Sequence, residues 1–155
     1  MPTIEELIAQ VQQQEKTLQF REFTAETALK IGLAIVERAK QENLVISIDI
    51  RRHGHQLFHY AFDGTSPDND IWLLKKARTV DRFGISSYQY RLRLDKNNRT
   101  LQSIGLDPEV YAASGGAFPI TIQNVGVIGS IAVSGLPDSE DHALVCWAIA
   151  WIIAE

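Results

Sequence analysis

Two pairs of short apolar segments constrain the fold of this chain more than any other feature. Residues 44–50 (LVISIDI) and 56–62 (QLFHYAF) flank the turn sequence RHGH, and residues 118–122 (FPITI) and 127–133 (VIGSIAV) flank QNVG. Segments that are rich in β-branched and aromatic residues and separated by a short turn predict β-hairpins. Strands joined by short turns run antiparallel, so the sequence predicts an antiparallel sheet of two hairpins.

Five helices are predicted around these hairpins. The first is an amphipathic helix within residues 1–16, the second ends near Glu42, and the third ends at Gly84. The starts of the five helices are marked by capping residues or an acidic first turn: Thr3 with Glu6, Thr24, Ser66 with Pro67, Ser86 with Ser87, and Asp138. A further helical turn is expected from Asp107 and Pro108 to Gly115 and Gly116. This order of elements predicts the α+β class, with helices packed against the antiparallel sheet.

Length, charge and composition exclude several classes of protein. A chain of 155 residues is expected to form one domain, residues 1–155. Its formal net charge of −4 argues against a nucleic acid partner, because such domains are strongly basic. The longest apolar run, residues 143–154, has twelve residues, whereas a membrane span needs about 20. With no signal segment and a single cysteine, Cys146, a cytoplasmic protein is expected.

The stretch GVIGSIAVSGLPDSEDH, residues 126–142, has the strand, glycine turn and helix start of a phosphate-binding loop. Such a loop needs free backbone N–H groups at the helix start. Here Pro137 removes one N–H group, and Asp138, Glu140 and Asp141 place carboxylates where a phosphate would bind. These carboxylates complement the helix dipole themselves. The sequence therefore favours an ordinary strand-to-helix corner.

Three separated motifs carry a resemblance to a known family. GTSPDNDIWLLKKARTVDRFGISS (64–87), YAASGGAFPI (111–120) and GVIGSIAVSGLPDSEDHALV (126–145) resemble the HbpS/GlcG-like superfamily, also called the haem-degrading domain family. The resemblance covers about residues 24–154 and is strongest to a branch of small cytoplasmic proteins without an assigned activity. It implies a profilin-like fold of helix, sheet and helix layers, a symmetric homo-oligomer and, for some relatives, a haem or corrinoid role. A eukaryotic relative in this branch is linked to the chaperone pathway for tail-anchored membrane proteins.

Six residues are candidates for a ligand site: Trp72, Lys76, Gly115, Gly116, Phe118 and His142. Trp72 and Lys76 lie on one helical face because they are four residues apart, and they match the family's W-x3-K pattern. The lysine could pair with a carboxylate or a haem propionate, in which case its replacement would hardly change stability. Gly115 and Gly116 permit close approach of a ligand or of another chain, although a simple stop before the strand is favoured.

His142 matches a D-H pair of the family, as Asp141-His142, and lies on the first turn of the last helix. A neutral imidazole there could reach a haem iron. The alternative is a helix-start residue bonded to its acidic neighbours. Lys75, Arg78 and Arg82 form a basic stripe beside Lys76, which a solvated helix face explains.

The histidines at 53, 55 and 59 form an H-x-H-x3-H cluster. On a regular strand His55, Leu57 and His59 share one face, and His55 lies about 13 Å from His59. One metal ion does not bridge that distance, because Zn–N bonds are about 2 Å long. Surface histidines are therefore favoured over a metal site.

No catalytic set is evident in the sequence. The serines lack a G-x-S-x-G context, and Cys146 lies on an apolar helix, where a buried small side chain is favoured over a nucleophile. Three functions remain open: a small-ligand-binding oligomer, with haem or a related tetrapyrrole as the favoured ligand; a protein–protein adaptor; and an enzyme acting on a small metabolite.

The last helix also predicts self-association. Its apolar residues exceed what one sheet covers, so a homo-oligomer is expected through that helix or through the first one, which carries Ile4, Leu7, Ile8 and Val11.

Overall fold

The computed structural model describes residues 1–155 and contains five α-helices and four β-strands. In chain order these are α1 (Ile4–Thr17), α2 (Ala25–Glu42), β1 (Ser47–Arg52), β2 (His55–Ala61), α3 (Pro67–Phe83), α4 (Ser87–Lys96), a 3-10 turn (Gln102–Ile104), β3 (Ala117–Ile122), β4 (Gly126–Ser134) and α5 (Asp138–Ile153). The α+β prediction is confirmed. No helix is both long enough and apolar enough to cross a membrane.

The four strands form one sheet in the order β2-β1-β4-β3, and every neighbouring pair is antiparallel. Each predicted hairpin is present, and the two hairpins join through β1 and β4. Pro119 lies in β3, an edge strand, where a missing N–H group breaks no interior pairing. Part of this edge is covered by Phe20, whose N–H donates to Thr121 O and whose carbonyl accepts from the N–H of Gln123.

The helices begin at the predicted caps. The side chains of Thr3, Thr24 and Ser86 accept hydrogen bonds from backbone N–H groups three residues later. Gly84 ends α3 in the left-handed conformation, with φ of 70°, which glycine adopts without steric cost. The fourth helix, predicted from Ser86 and Ser87, is present as α4. Capping is a local interaction, so the sequence alone was sufficient to locate it.

The first hairpin departs from a regular strand pair. Ile50 pairs with Phe58 but Arg51 pairs with Gln56, so Leu57 is an extra residue in a β-bulge. Leu57 packs with Phe58 against the core, while Gln56 donates to Asp49 Oδ1 on the opposite face. The expectation that His55, Leu57 and His59 share a face is therefore wrong. Strand β1 also begins at Ser47, three residues later than expected.

The segment after the 3-10 turn differs from expectation as well. The N–H groups of Val110 and Tyr111 both donate to Asp107 O, which closes a single turn. Residues 111–114 are then irregular up to Gly115. The predicted helical turn is thus confined to residues 107–111, because Ala112, which follows it, forms hydrogen bonds with Thr79 of α3 instead.

Helices cover both faces of the sheet. On one face α2 and α5 pack on the main core, formed by residues such as Ile35, Ile149, Ile50, Phe118 and Ile131. On the other face α3 packs through a smaller cluster, Leu73 and Val80 against Ala117 and Ala132. Helix α4 contacts α3, α5 and β3, and α1 lies against α4. The two layers approach each other where β4 ends and α5 begins.

Candidate functional site

A buried ion pair joins α3 to α5 around the end of the sheet. Lys76 Nζ lies 3.2 Å from Asp141 Oδ2, and it also donates to the carbonyl of Val133 at 3.0 Å. The two residues are only 4% and 2% exposed. Burying two charges is costly unless they are paired and hydrogen-bonded, and both conditions are met here.

The strand-to-helix corner is closed by the same carboxylate. Asp141 Oδ1 accepts the backbone N–H of Leu136 at 3.0 Å. An N–H group that would face an anion in a phosphate loop is thereby satisfied within the chain. This geometry agrees with the corner that the acidic residues predicted.

Gly115 and Gly116 make room for this arrangement. A Cβ atom on Gly116 would lie 2.7 Å from Lys76 Nζ and 2.4 Å from Val133 O, and its φ is 133°. A Cβ atom on Gly115 would lie 2.2 Å from the backbone carbonyl oxygen of Asp138. Any larger residue would displace the backbone or the lysine. The close approach predicted at the two glycines is therefore an approach of this chain to itself.

An open hollow of about 320 Å3 lies over the ion pair. Its lining includes Trp72, Lys76 and three carboxylates, those of Asp68, Asp138 and Asp141. We call it the acidic hollow. Three carboxylates and one ammonium group give its walls an excess of negative charge.

A second hollow of about 350 Å3 shares Trp72 and Ser114 with the first. It is lined by Arg91, Arg99 and Asp95, and by a larger apolar share that includes Leu94, Leu101, Pro108 and Tyr111. We call it the arginine hollow. The indole of Trp72 is 39% exposed and stands at the boundary of the two hollows. The Lys75 ammonium lies 5.1 Å from the centroid of this ring and lines neither hollow.

The irregular segment between the 3-10 turn and β3 forms one wall of the arginine hollow. Side chains of α3 hold this wall in place. Arg78 donates to Val110 O at 3.3 Å, Arg82 donates to the Tyr111 hydroxyl at 3.1 Å, and Thr79 Oγ1 donates to Ala112 O at 2.8 Å. Two residues of the predicted solvated stripe, Arg78 and Arg82, thus position the wall. Arg99, Tyr111 and Ser114 were not predicted as ligand-site residues. Arg99 lies in no motif, whereas Tyr111 and Ser114 lie in the motif YAASGGAFPI beside the two glycines and were not singled out within it.

His142 lies behind the site, beneath α1. It is 4% exposed, its Nε2 is 2.7 Å from Gln14 Oε1, and it lines neither hollow. Its Nδ1 has no hydrogen-bond partner. Burial lowers the pKa of His142 to about 4, so the ring is neutral at physiological pH.

Phe118 is also remote from the hollows, at 1% exposure in the main core. Its ring centroid is 5.8 Å from that of His142. The structure therefore brings together Trp72, Lys76, Gly115 and Gly116, and it places Phe118 and His142 in the interior behind them.

The remaining histidines are dispersed along the first hairpin. His53 occupies the turn with φ of 53°, His55 is exposed, and His59 Nε2 lies 2.9 Å from Asp70 Oδ1. No group of three or more His, Cys, Asp or Glu side chains is arranged to hold a metal ion.

Lys76 is essential to the packing of the site, so the expectation that its replacement would hardly change stability is not supported. Lys76→Met leaves Asp141 buried without its partner and is expected to cost about 3–5 kcal/mol of unfolding free energy near pH 7. The cost is smaller near pH 5, because burial raises the pKa of Asp141 to about 6 and the carboxyl is then largely protonated. Chemical denaturation at both pH values checks this. Lys75→Met is the matched control, and an equally small loss in both variants would refute the role of the pair.

The neighbouring residues Asp141 and His142 have opposite effects on stability as pH changes. Burial raises the pKa of Asp141 from 3.8 to about 6, so its contribution to stability falls as pH rises through that window. Burial lowers the pKa of His142 from 6.5 to about 4, so its contribution rises over nearly the same window. Each shift corresponds to about 3 kcal/mol, and the two contributions offset each other.

His142→Gln removes the contribution of His142 to the pH dependence of stability. Between about pH 7 and pH 4.5 the native protein loses roughly 2–3 kcal/mol through His142 that the variant does not lose. Unfolding free energies of both proteins at the two pH values measure the difference. Parallel pH dependences would mean that His142 titrates normally in the folded protein.

Comparisons with known proteins agree with the motifs. A family model described as haem degrading protein HbpS-like matches residues 23–150. A UPF0303 protein of Streptomyces coelicolor is 45% identical over 149 residues, covering 96% of this chain and 94% of that protein. The crystal structure of the Ybr137w protein superposes with a TM-score of 0.88 at 28% identity, covering 96% of this chain and 90% of that one.

The crystal structure of a PduOC:heme complex has a TM-score of 0.69 at 17% identity, covering 83% of this chain and 93% of that one. At this identity the likeness concerns the fold alone. The family match and the Streptomyces relative both extend over most of the chain, and the chain belongs to the HbpS-like family.

Proposed function

We propose that this protein binds a small ligand in the two hollows around Trp72, and that a haem-like tetrapyrrole is the favoured ligand. The observation that carries the proposal is that two adjoining hollows, of about 320 and 350 Å3, share an exposed indole wall. Cavities of this size are typical of small-molecule sites. The family description and the heme-bound structural neighbour support a tetrapyrrole as the ligand class.

The residues around the hollows fit the ring and carboxylates of a tetrapyrrole better than they fit its iron. Haem iron is held in proteins by His, Cys, Met or Tyr side chains. Only Tyr111 among these lines either hollow, and its hydroxyl is engaged by Arg82. The imidazole of His142 and the thiol of Cys146 are buried behind the site. Axial ligation of a haem by His142 therefore does not fit this arrangement.

Binding without catalysis is the function favoured here. Ser114 makes no side-chain hydrogen bond to a base, and Ser134 accepts only from the amide of Asn69, at 3.3 Å. A serine nucleophile needs an adjacent base within hydrogen-bond distance. A free, buried thiol at Cys146 is consistent with a reducing compartment, and we retain the cytoplasm as the proposed location.

A second surface supports a protein partner, and we propose that it is another copy of this chain. Between α2 and α5 lies a groove of about 690 Å3, lined in part by Leu33, Trp147 and Trp151. Leu33 and Trp151 are 53% and 45% exposed, and the two tryptophan rings stack at 6.5 Å. Exposed apolar patches of this kind mark interaction sites. The same groove would also serve the adaptor function. Helix α1 is a weaker candidate, because it already packs on α4.

Replacing the shared indole tests the ligand site. Trp72→Ala is expected to weaken haemin binding about tenfold or more, because the exposed aromatic wall of both hollows is lost. Titration followed by the Soret band gives the affinity. Trp151→Ala removes a similarly exposed tryptophan that lines neither hollow, and it should leave haemin affinity unchanged. Saturable binding that is insensitive to Trp72 would place the ligand elsewhere, and no saturable binding would remove the tetrapyrrole proposal.

Sedimentation velocity at low micromolar concentration tests self-association. We expect a species of at least two chains, and we expect Leu33→Glu with Trp151→Glu to shift it toward the monomer, because charge in an apolar interface opposes association. A single species near the 17.4 kDa chain mass in the native protein would exclude the homo-oligomer.

A further inference from the structure

The two hollows around Trp72 differ in charge. The acidic hollow has three carboxylates: Asp141 is paired with Lys76, Asp138 is paired with Arg91 from the neighbouring hollow, and Asp68 forms no ion pair. The arginine hollow has two guanidinium groups against one carboxylate, Asp95. An anionic group on a ligand would be repelled from the first hollow and attracted to the second.

The ammonium group of Lys76 already has bonding partners within the chain. Its ammonium bonds to Asp141 and to the carbonyl of Val133, and it is needed there to offset a buried carboxylate. A ligand carboxylate competing for this lysine would leave Asp141 unpaired in the interior, which is costly. The lysine is therefore a poor anchor for an incoming anion.

Arg99 is the cation left free in the arginine hollow. Arg91 bonds to Asp95 at 2.9 Å and to Asp138 at 3.3 Å. Arg99 donates its backbone N–H to Leu94 O, but its guanidinium forms none of the ion pairs or side-chain hydrogen bonds in the structure. A guanidinium presents a planar fork of donors that matches a carboxylate.

The rest of the hollow suits an apolar body attached to that carboxylate. Trp72, Leu101, Pro108 and Tyr111 contribute flat or apolar surfaces. The backbone N–H groups of Ala113 and Ser114, which line the same hollow, donate to no backbone carbonyl. They are further donors available to a polar group on a ligand.

We infer that the arginine hollow binds a flat, apolar carboxylate, with Arg99 as the partner of the carboxylate and without metal coordination. This inference rests on the proposed function, that the hollows around Trp72 bind a ligand, and it specifies the chemical class of that ligand. In a tetrapyrrole the recognised groups are then a propionate and the ring face, and the central metal is dispensable.

The experiment compares ligands that differ in one group. Fluorescence titration is done with metal-free protoporphyrin, its dimethyl ester and haemin, and with naphthoate and its neutral amide. Protoporphyrin and haemin should bind with affinities within about threefold of each other. Esterification, and conversion of naphthoate to the amide, should each weaken binding roughly tenfold or more, the effect of a lost charge-assisted hydrogen bond.

Arg99→Gln should weaken protoporphyrin and naphthoate by a similar factor and leave the ester and the amide unchanged. Arg93→Gln, on an exposed position of α4 that lines neither hollow, is the matched control and should bind all probes normally.

The outcomes separate this inference from the proposed function. Haemin binding without protoporphyrin binding would show metal coordination and overturn the inference while leaving ligand binding intact. Equal binding of acid and ester, or equal effects of the Arg99 and Arg93 variants, would overturn the role of Arg99. If no porphyrin binds but naphthoate binds through Arg99, the tetrapyrrole is wrong and the carboxylate class stands. Failure of all five probes would refute both.

Discussion

The buried ion pair between Lys76 and Asp141 connects the helices on opposite faces of the sheet. Its two ends come from α3 and α5, and Gly116 is the residue that leaves space for it. A buried ion pair contributes little net stability compared with an apolar contact, but removing one partner is costly. Its effect here is to fix the relative position of two elements that share no core cluster. Lys76 and Asp141 both line the acidic hollow, Asp141 also closes the strand-to-helix corner, and Trp72 lies one helical turn before Lys76 on α3.

The parts of the fold that depend on neighbouring residues in the chain could be predicted from the sequence. The hairpins followed from segments rich in β-branched and aromatic residues on either side of a short turn, and the helix starts followed from Thr3, Thr24, Ser66 and Ser86. The bulge at Leu57 could not be predicted, because it depends on how β1 bonds to β2. The backbone path of residues 107–114 could likewise not be predicted, because it is set by hydrogen bonds from side chains of α3 that lie about 30 positions earlier in the chain.

Residues of the candidate site could be predicted only where helical spacing or a sequence motif distinguished them. Trp72 and Lys76 were found because helical spacing places them on one face, and Gly115 and Gly116 because a family motif carries them. His142 carries the same kind of motif signal, but no local pattern shows that α1 returns to cover it. Arg99 has neither periodicity nor a motif, and it is distinguished only in three dimensions by the absence of a partner. A single sequence therefore identifies the site residues that helical spacing or a motif distinguishes, and it does not identify a residue such as Arg99, which is distinguished only by its surroundings in the fold.

Helix α1 lies outside the region that the family model matches, residues 23–150, yet it is attached to the wall of the site. The carboxylate of Glu15 accepts from the backbone N–H and hydroxyl of Ser86 and from the amide of Gln89. These groups form the first turn of α4, the helix that carries Arg91 and Leu94 into the arginine hollow. A negative charge at that position also complements the dipole of α4. Without α1 this helix start would be open to water, so the amino-terminal helix stabilises one side of the arginine hollow.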